Sequence, residues 1–256
     1  MKKAILILST LILLSACSQK ESKEKTSDSS SSHLTSSQSK SHSSSTQIEE
    51  SSSQTEVKHF ESGSLLKAVE ENNLTQVNDI LSSKDYPIDE QNNLGETPLV
   101  IATHNNYIDI AQALIDAGAD VNKQDNIQDS AYLYASAQGK TEILAYILKN
   151  SEPNQAVYNR FGGNAIIPAA EKGHLDNVKL LLNDGKVDVN HQNNYGYTAL
   201  IEAVALRDGS EVYQKIVREL LNHGADPSIK DNYGKTAQDY AQEKGYGNML
   251  RMIQEN

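Results

Sequence analysis

From about residue 61 onwards, apolar residues recur in short runs at three- and four-residue spacings, and polar turns separate the runs. This spacing places the apolar side chains on one face of a helix. The clearest groups are Val77, Ile80 and Leu81; Ile143, Ile147 and Leu148; Val178, Leu181 and Leu182; and Ile216, Leu220 and Leu221. The pattern predicts a series of short amphipathic helices, each with one buried face.

A single alanine marks the same point of this pattern six times, at spacings of 34, 33, 34, 34 and 38 residues. The six residues are Ala68, Ala102, Ala135, Ala169, Ala203 and Ala241. A period near 33 residues predicts helical units that stack side by side into a solenoid. The small side chain lets neighbouring first helices approach closely, so a bulky residue at Ala135 or Ala169 would overpack the seam.

Start and stop signals frame the first helix of each unit. Thr97 is a good N-cap residue, and Pro98 follows at the first helical position, where a missing N–H costs nothing. Later units carry Ser130, Asn164, Thr198 and Thr236 at the cap position. About nine residues after the cap stand Asn72, Asn106, Gly139, Gly173, Gly209 and Gly245, which tolerate the left-handed conformation of a helix C-terminus.

The segment from Gly95 to Asn122 carries the signature Gly-x-Thr-Pro-Leu-x-x-Ala and closes with Gly-Ala-Asp-Val-Asn. It resembles the ankyrin repeat; Gly173-His174, Gly224-Ala225-Asp226 and Tyr233-Gly234-Lys235-Thr236 are further matches. The resemblance implies an all-α ankyrin-repeat solenoid of helix-turn-helix units with β-hairpin-like loops over residues 61–256. Its six units run at about 61–92, 93–125, 126–158, 159–192, 193–230 and 231–256, and the first and last look like caps.

Two units depart from the repeat pattern. The third ends in Ser151-Glu152-Pro153-Asn154 instead of Gly-Ala-Asp-Val-Asn, which leaves the path of its exit loop open. The fifth carries about five extra residues around Arg207 to Val212, between its two helices. We interpret this insertion as a protrusion on the concave side of the solenoid.

The N-terminus has the features of a targeting signal. Lys2 and Lys3 precede an apolar run of about eleven residues, which is too short to span a membrane but fits a signal-peptide core. The run ends in Leu14-Ser15-Ala16-Cys17, which resembles the lipobox of bacterial lipoproteins. This resemblance implies a signal peptide at 1–16 and a lipid anchor on Cys17. An ordinary secretory signal with an incidental cysteine is the alternative.

Residues 17–60 are expected to form a linker between the anchor and the repeats. Serine accounts for 17 of the 41 residues from 18 to 58, and little apolar surface is available to bury. Such a segment is predicted to be disordered, with a root-mean-square reach of roughly 35 Å. It resembles the spacers of Gram-positive surface lipoproteins, which implies a lipid-anchored protein on the extracytoplasmic face of the cell membrane.

The charge balance narrows the range of partners. The formal net charge is −11, and loss of the two signal-peptide lysines leaves 21 basic against 34 acidic residues, a net charge of −13. This argues against nucleic-acid binding, and against membrane adsorption beyond the lipid anchor. It weakly favours a basic protein partner, and an acidic surface that maintains solubility is the simpler explanation. We expect a monomer.

The candidate partner-binding residues follow from the resemblance, because ankyrin repeats usually contact partners through hairpin tips and first helices. The residues just before the turn glycines, or at the equivalent position, are all apolar: Leu94, Ile127, Phe161, Tyr195 and Tyr233. Arg160, Tyr197 and Lys235 lie beside them, and tyrosine and arginine dominate interface hot spots. We call the five apolar residues the stripe. The alternative is that adjacent hairpins pack these side chains against one another.

No catalytic, cofactor or metal site is predicted. Gly234-Lys235-Thr236 ends like a phosphate-binding loop, but Ile229 stands where that loop needs a glycine. His104, His191 and His223 show no metal-ligand spacing. The expected function is non-enzymatic protein–protein interaction at the cell surface. The alternatives are an immunity or inhibitor protein that neutralises a secreted toxin or envelope enzyme, and an accessory or solute-binding envelope lipoprotein.

Overall fold

The computed structural model describes residues 59–83 and 85–256. The predicted signal peptide at 1–16, the lipidated Cys17 and the serine-rich linker up to residue 58 lie outside the described residues. What was predicted for them therefore stays a prediction. Within residues 59–83 and 85–256, none of the helices combines the length and apolar character that crossing a membrane requires.

The part of the chain that the structure describes contains twelve α-helices and no strand. The first helices of the six units are α1 (Ser64–Glu70), α3 (Pro98–His104), α5 (Ala131–Ala137), α7 (Ile166–Glu171), α9 (Ala199–Ala205) and α11 (Ala237–Lys244). The second helices are α2 (Leu74–Leu81), α4 (Ile108–Asp116), α6 (Thr141–Asn150), α8 (Leu175–Asp184), α10 (Glu211–Asn222) and α12 (Gly247–Gln254).

The helices form two layers. Each first helix contacts the first helix of the next unit, and each second helix contacts the next second helix. Within a unit, the two helices pack against each other. This arrangement confirms the predicted all-α solenoid.

The seam between the first helices is built as the alanine period predicts. Ala68, Ala102, Ala135, Ala169, Ala203 and Ala241 are all fully buried. A buried amide adds a polar link between units: Asn177 Nδ2 donates to the carbonyl oxygens of Ala135 and Ser136, at 2.9 and 3.1 Å. The seam therefore combines close backbone approach with hydrogen bonds between units.

The predicted helix ends are mostly confirmed. The side chains of Thr97, Ser130, Thr198 and Thr236 each accept a hydrogen bond from the backbone N–H three residues on. The residues predicted to end the first helices all have positive φ angles between 52° and 79°: Asn72, Asn106, Gly139, Gly173, Gly209 and Gly245.

The cap predicted at Asn164 is wrong. Helix α7 begins at Ile166, and its first turn has no side-chain cap. Asn164 Nδ2 instead donates to the carbonyl oxygen of Asp188 at 2.8 Å, in the loop that leaves the same unit. The amide of Asn164 thus bonds to this loop through its donor, and its Oδ1, the atom that a cap would use, has no hydrogen-bond partner among the described residues.

The exit loop of the third unit keeps the geometry of its neighbours despite its different sequence. The backbone N–H of Asn154 donates to Asn122 Oδ1 at 2.7 Å, and Asn154 Oδ1 accepts from the N–H of Ala156 at 2.9 Å. Two units later, the N–H of Asp226 donates to Asn190 Oδ1 at 2.8 Å in the same way. An asparagine thus replaces the aspartate of the repeat pattern without changing the loop.

The insertion in the fifth unit is partly helical and is fastened to the neighbouring units, and its position on the concave side stays a prediction. Val212 belongs to α10, which has 12 residues against 9 in α4, so part of the extra length extends the helix. The remaining loop is fastened on two sides. The Arg207 guanidinium pairs with Glu171 at 2.5 Å, and its backbone carbonyl accepts from the Tyr246 hydroxyl at 2.5 Å.

Candidate protein-binding surface

Each turn that carries a stripe residue is held by one side-chain oxygen. The Oδ1 atom at the start of the turn accepts from the backbone N–H groups two and four residues on, at 2.8–3.0 Å. The five residues that supply this oxygen are Asn92, Asp125, Asn159, Asn193 and Asp231. Because the aspartates and asparagines accept identically, the five turns share one conformation.

The turns stack through their backbones. The N–H of Asn126 donates to the carbonyl oxygen of Leu94 at 3.0 Å, and the N–H of Asn232 donates to that of Tyr195 at 3.1 Å. The stripe side chains stay outside this stack and are 46–72% exposed: Leu94, Ile127, Phe161, Tyr195 and Tyr233. Any packing of adjacent hairpins against one another therefore leaves at least 46% of each stripe side chain accessible.

The two predicted basic neighbours of the stripe are held by contacts within the chain. The Arg160 guanidinium lies 4.9 Å from the centre of the Phe161 ring and 3.8 Å from the Asp129 carboxylate. Lys235 Nζ lies 2.7 Å from the Glu243 carboxylate and 5.1 Å from the centre of the Tyr240 ring. These positions keep both cations beside the aromatic side chains.

Tyr197, the remaining predicted residue, is half-buried. Its ring lies edge-on to that of Tyr240, and the centres are 6.3 Å apart. The Tyr195 ring is tilted against it at the same distance, 6.3 Å. Tyr197 therefore joins the exposed stripe to the first-helix layer beneath it.

The turn side of units four to six contains a groove of about 330 Å³. Three stripe residues line it, namely Phe161, Tyr195 and Tyr233, together with Tyr197. Two further lining residues, Glu202 and Leu206, were not predicted. Leu206 is 50% exposed and comes from the loop that the fifth unit inserts after α9. The groove is thus mostly aromatic and aliphatic, with two acidic side chains, Glu171 and Glu202, among its lining.

Glu202 is the one carboxyl group of the groove that is almost fully buried, at 4% exposure. Its Oε1 accepts from Asn193 Nδ2 at 3.0 Å, and its Oε2 has no hydrogen-bond partner among the described residues. Burial raises the pKa of Glu202 to about 7; Glu171 adds to this rise, while Asn193 and Arg207 oppose it. The group is therefore close to half-ionised at neutral pH.

A sequence signal for Glu202 existed. It stands one residue before the seam alanine of its unit, where the three preceding units carry Ile101, Tyr134 and Pro168. All of these precede a fully buried alanine in a first helix, so a glutamate there is an ionisable group at the edge of the core. A carboxylate at such a position needs partners.

A second cluster of ionisable groups lies in units two and three. Ligand atoms of Glu96, His104 and Asp125 lie within 4.8 Å of one another, although the histidine spacing predicted no metal role. Glu96 Oε1 already lies 3.1 Å from His104 Nδ1, and the His104 ring packs on the Tyr134 ring with centres 4.0 Å apart. Asp125 Oδ1 holds its turn. We assign these groups to packing.

Comparisons with known proteins agree with this architecture. The sequence profile of the family described as Ankyrin repeats (3 copies) matches residues 65–157 and 134–231. The ankyrin repeat protein YahD of Escherichia coli K12 is 40% identical over 159 residues, which cover 62% of this chain and 79% of YahD.

Two solved structures are also similar. The crystal structure of EF0377, an ankyrin repeat protein, has a TM-score of 0.76 at 56% identity and covers 77% of this chain and 99% of that one. An ankyrin repeat domain from Acinetobacter baumannii AYE has a TM-score of 0.73 at 42% identity and covers 76% of this chain and 98% of that one.

Proposed function

Because this chain belongs to the ankyrin repeat family, whose members are generally non-enzymatic interaction scaffolds, we propose that it binds a partner protein through the turn side of units four to six. The exposure of the stripe carries this proposal. Phe161, Tyr195 and Tyr233 are 46%, 51% and 72% exposed beside a groove. Aromatic side chains exposed together on a rigid surface are the residue type and setting of interface hot spots.

The rigidity of the turns favours binding as well. In units four to six, each stripe residue sits on a turn whose backbone is fixed by the Oδ1 atom of Asn159, Asn193 or Asp231. A partner therefore meets side chains on an ordered backbone and loses little affinity to the ordering of loops.

We propose further that the protein acts at the extracytoplasmic face of the cell membrane, anchored by a lipid on Cys17. The lipobox-like sequence before Cys17 supports the anchor, and the serine-rich linker provides the distance between the lipid and the repeats. Metabolic labelling with an alkyne fatty acid tests this. Labelling of the wild-type protein and its loss in Cys17→Ser are expected, whereas equal labelling of both would contradict the anchor.

A triple substitution tests the binding surface. Phe161, Tyr195 and Tyr233 are changed together to serine in the full-length protein, and captured partners are compared with those of the wild type by pull-down. Because all three side chains are largely exposed, we expect partner capture to be lost while the thermal unfolding midpoint shifts by only a few degrees. Retention of the same partners, or a collapse of stability, would show that the stripe is structural.

A matched control uses the opposite layer of the solenoid. Arg218 is exposed on α10, in the second-helix layer. Arg218→Ser should leave both partner capture and thermal stability unchanged.

A further inference from the structure

We propose that the groove of units four to six accepts a lysine or arginine side chain of the partner protein, with Glu202 as its counter-ion and the surrounding aromatic rings as its walls. This inference rests on the proposed function, because it names the chemistry of the partner at the same surface. Three observations carry it: the incompletely paired carboxylate, the aromatic lining and the local charge.

The carboxylate of Glu202 lacks a partner for one oxygen. It is 96% buried and lines the groove, and its Oε2 has no hydrogen-bond partner among the described residues. Oε2 has almost no accessible surface, so the carboxylate must turn towards the groove for a cation to donate to it. Leaving a buried charged oxygen unpaired is unfavourable, and a cation donating to it removes that cost. A charge-assisted hydrogen bond to an ammonium or guanidinium group satisfies the oxygen most strongly.

The aromatic walls suit a cation on an alkyl chain. Four aromatic residues line the groove: Phe161, Tyr195, Tyr197 and Tyr233. Cations are attracted to aromatic faces within about 6 Å of the ring centre. The chain itself shows this at the edge of the same surface, where the Arg160 guanidinium lies 4.9 Å from the centre of the Phe161 ring. The methylene groups of lysine or arginine would contact Leu206 and the rings.

The charged groups around Glu202 leave a net negative charge. Glu171 of α7 raises the Glu202 pKa, whereas Arg207 of the loop after α9 lowers it. Arg207 pairs with Glu171. From α11, the Tyr240 hydroxyl lies 3.5 Å from that of Tyr197, which lines the groove. With Glu171 and Arg207 balancing each other, the ionised Glu202 carries the unbalanced charge.

Binding of the cation requires the ionised form of Glu202. Because burial raises the pKa of Glu202 to about 7, the carboxyl is mostly protonated at pH 6 and mostly ionised at pH 8. The affinity for a cationic side chain is therefore expected to rise about tenfold from pH 6 to pH 8. A neutral side chain of the same length gains nothing from this ionisation.

Three small probes test the inference on the full-length protein: Nα-acetyl-lysine amide, Nα-acetyl-arginine amide and Nα-acetyl-norleucine amide. Norleucine has an alkyl chain like that of lysine without the charge. Binding is followed through the NMR signals of the tyrosine rings. At pH 8 we expect the lysine or the arginine probe to bind at least tenfold more tightly than the norleucine probe, and the stronger of the two identifies the preferred cation.

Two matched variants assign the effect to Glu202. Glu202→Gln should reduce the preference for the cationic probes to within about twofold, since it removes the charge and keeps the shape. Glu152→Gln, at an exposed carboxylate that pairs with Lys186 in another unit, should keep the full preference. A preference that survives in Glu202→Gln would overturn the inference, and so would equal binding of all three probes to the wild type.

The pH titration of the wild-type protein decides the matter without any variant. An affinity for the cationic probes that is unchanged between pH 5 and pH 8 overturns the inference, even if Glu202→Gln does not fold. The proposed function has a separate test, because the triple serine variant probes partner capture and not charge. If the triple serine variant no longer captures the partner but the wild type binds all three probes equally, the proposed interaction surface is supported. Only the inference of a cationic side chain is then contradicted.

Discussion

The turn side of the solenoid differs between units two to three and units four to six, although the backbone is the same. In units two and three the stripe is aliphatic, and both oxygens of the half-buried Glu96 are paired, Oε1 with His104 at 3.1 Å and Oε2 with Asn92 at 2.8 Å. In units four to six the stripe is aromatic, and only one oxygen of the more deeply buried Glu202 is paired within the part of the chain that the structure describes.

The comparison teaches that different residues determine the stacked backbone, which we call the frame, and the exposed side chains of the turn side, which we call the surface. The frame depends on backbone hydrogen bonds, on one turn oxygen per unit and on the seam alanines, all of which recur in both regions. The surface depends on side chains that the frame leaves free to vary. Units two and three satisfy the Glu96 carboxylate within the chain, whereas in units four to six one oxygen of Glu202 is buried without a partner among the described residues.

The largest effect is expected where the shared frame is broken. Gly196 and Gly234 occupy the same turn position with φ angles of 77° and 78°. A Cβ at Gly196 would lie 2.7 Å from the backbone N of Asn232, whereas one at Gly234 would meet nothing within 4 Å. Gly196→Ala should therefore lower the free energy of unfolding by about 3–4 kcal/mol and Gly234→Ala by about 1 kcal/mol. Urea denaturation measures both; equal losses would argue against stacked turns.

The next effect concerns the incompletely paired carboxylate. The pKa of Glu202 rises from 4.5 to about 7 on folding, mainly through burial. The folded state then binds more protons than the unfolded state, so the contribution of Glu202 to stability is present below pH 4.5 and is lost as the pH rises towards 7. The loss is at most about 3 kcal/mol.

The variant Glu202→Gln cannot titrate, so its stability relative to the wild type should rise between pH 5 and pH 8 by up to this amount. Urea denaturation at the two pH values measures the change. The matched variant in unit two, Glu96→Gln, still contains Glu202. It should therefore lose as much stability as the wild type does when the pH rises from 5 to 8. If the stability of the wild type and that of Glu202→Gln depend on pH in the same way, the raised pKa of Glu202 is contradicted.

A smaller effect is expected from the paired carboxylate of unit two. Glu96→Gln replaces two charged oxygens, one beside His104 and one accepting from Asn92, with one neutral oxygen and an amide donor. We expect a loss of about 1–2 kcal/mol at neutral pH, because the charge is lost and a single oxygen cannot replace both. Thermal or urea unfolding measures this change. If Glu96→Gln instead stabilised the protein, the Glu96 carboxylate would not be satisfied within the chain, and the described difference from Glu202 would be contradicted.

The smallest effect on stability is expected at the most exposed stripe residue. Tyr233 is 72% exposed, so Tyr233→Ser should change the free energy of unfolding by less than about 0.5 kcal/mol. Partner capture should nevertheless weaken. A large loss of stability would place Tyr233 in the fold and not in the interface.

Local signals in the sequence predicted the frame well. The caps at Thr97, Ser130, Thr198 and Thr236 and the left-handed helix ends depend on residues within a few positions, so the residue types alone indicate them. The seam alanines were predictable because a repeat imposes the same packing at each copy. The outward direction of the stripe follows from one turn pattern repeated five times.

What the sequence did not predict depends on residues far apart in the chain. The environment of Glu202 includes Asn193, which donates a hydrogen bond from the turn of the same unit, and Glu171 of the preceding unit, which raises the Glu202 pKa. Asn164 does not cap α7: its Nδ2 donates to the Asp188 carbonyl, and its Oδ1 has no hydrogen-bond partner among the described residues. The inserted loop is fastened by Glu171 on one side and Tyr246 on the other. Such pairings appear only when the units are stacked.

A position scan by photocrosslinking tests the central claim, that the turn side of units four to six is the partner-binding surface. A photoreactive phenylalanine analogue replaces Leu94, Phe161, Tyr195, Tyr233 or Arg218, one at a time, in the full-length protein in intact cells. The account predicts one crosslinked partner from positions 161, 195 and 233, less of it from 94 and none from 218. Equal or higher yield at position 218 would contradict it.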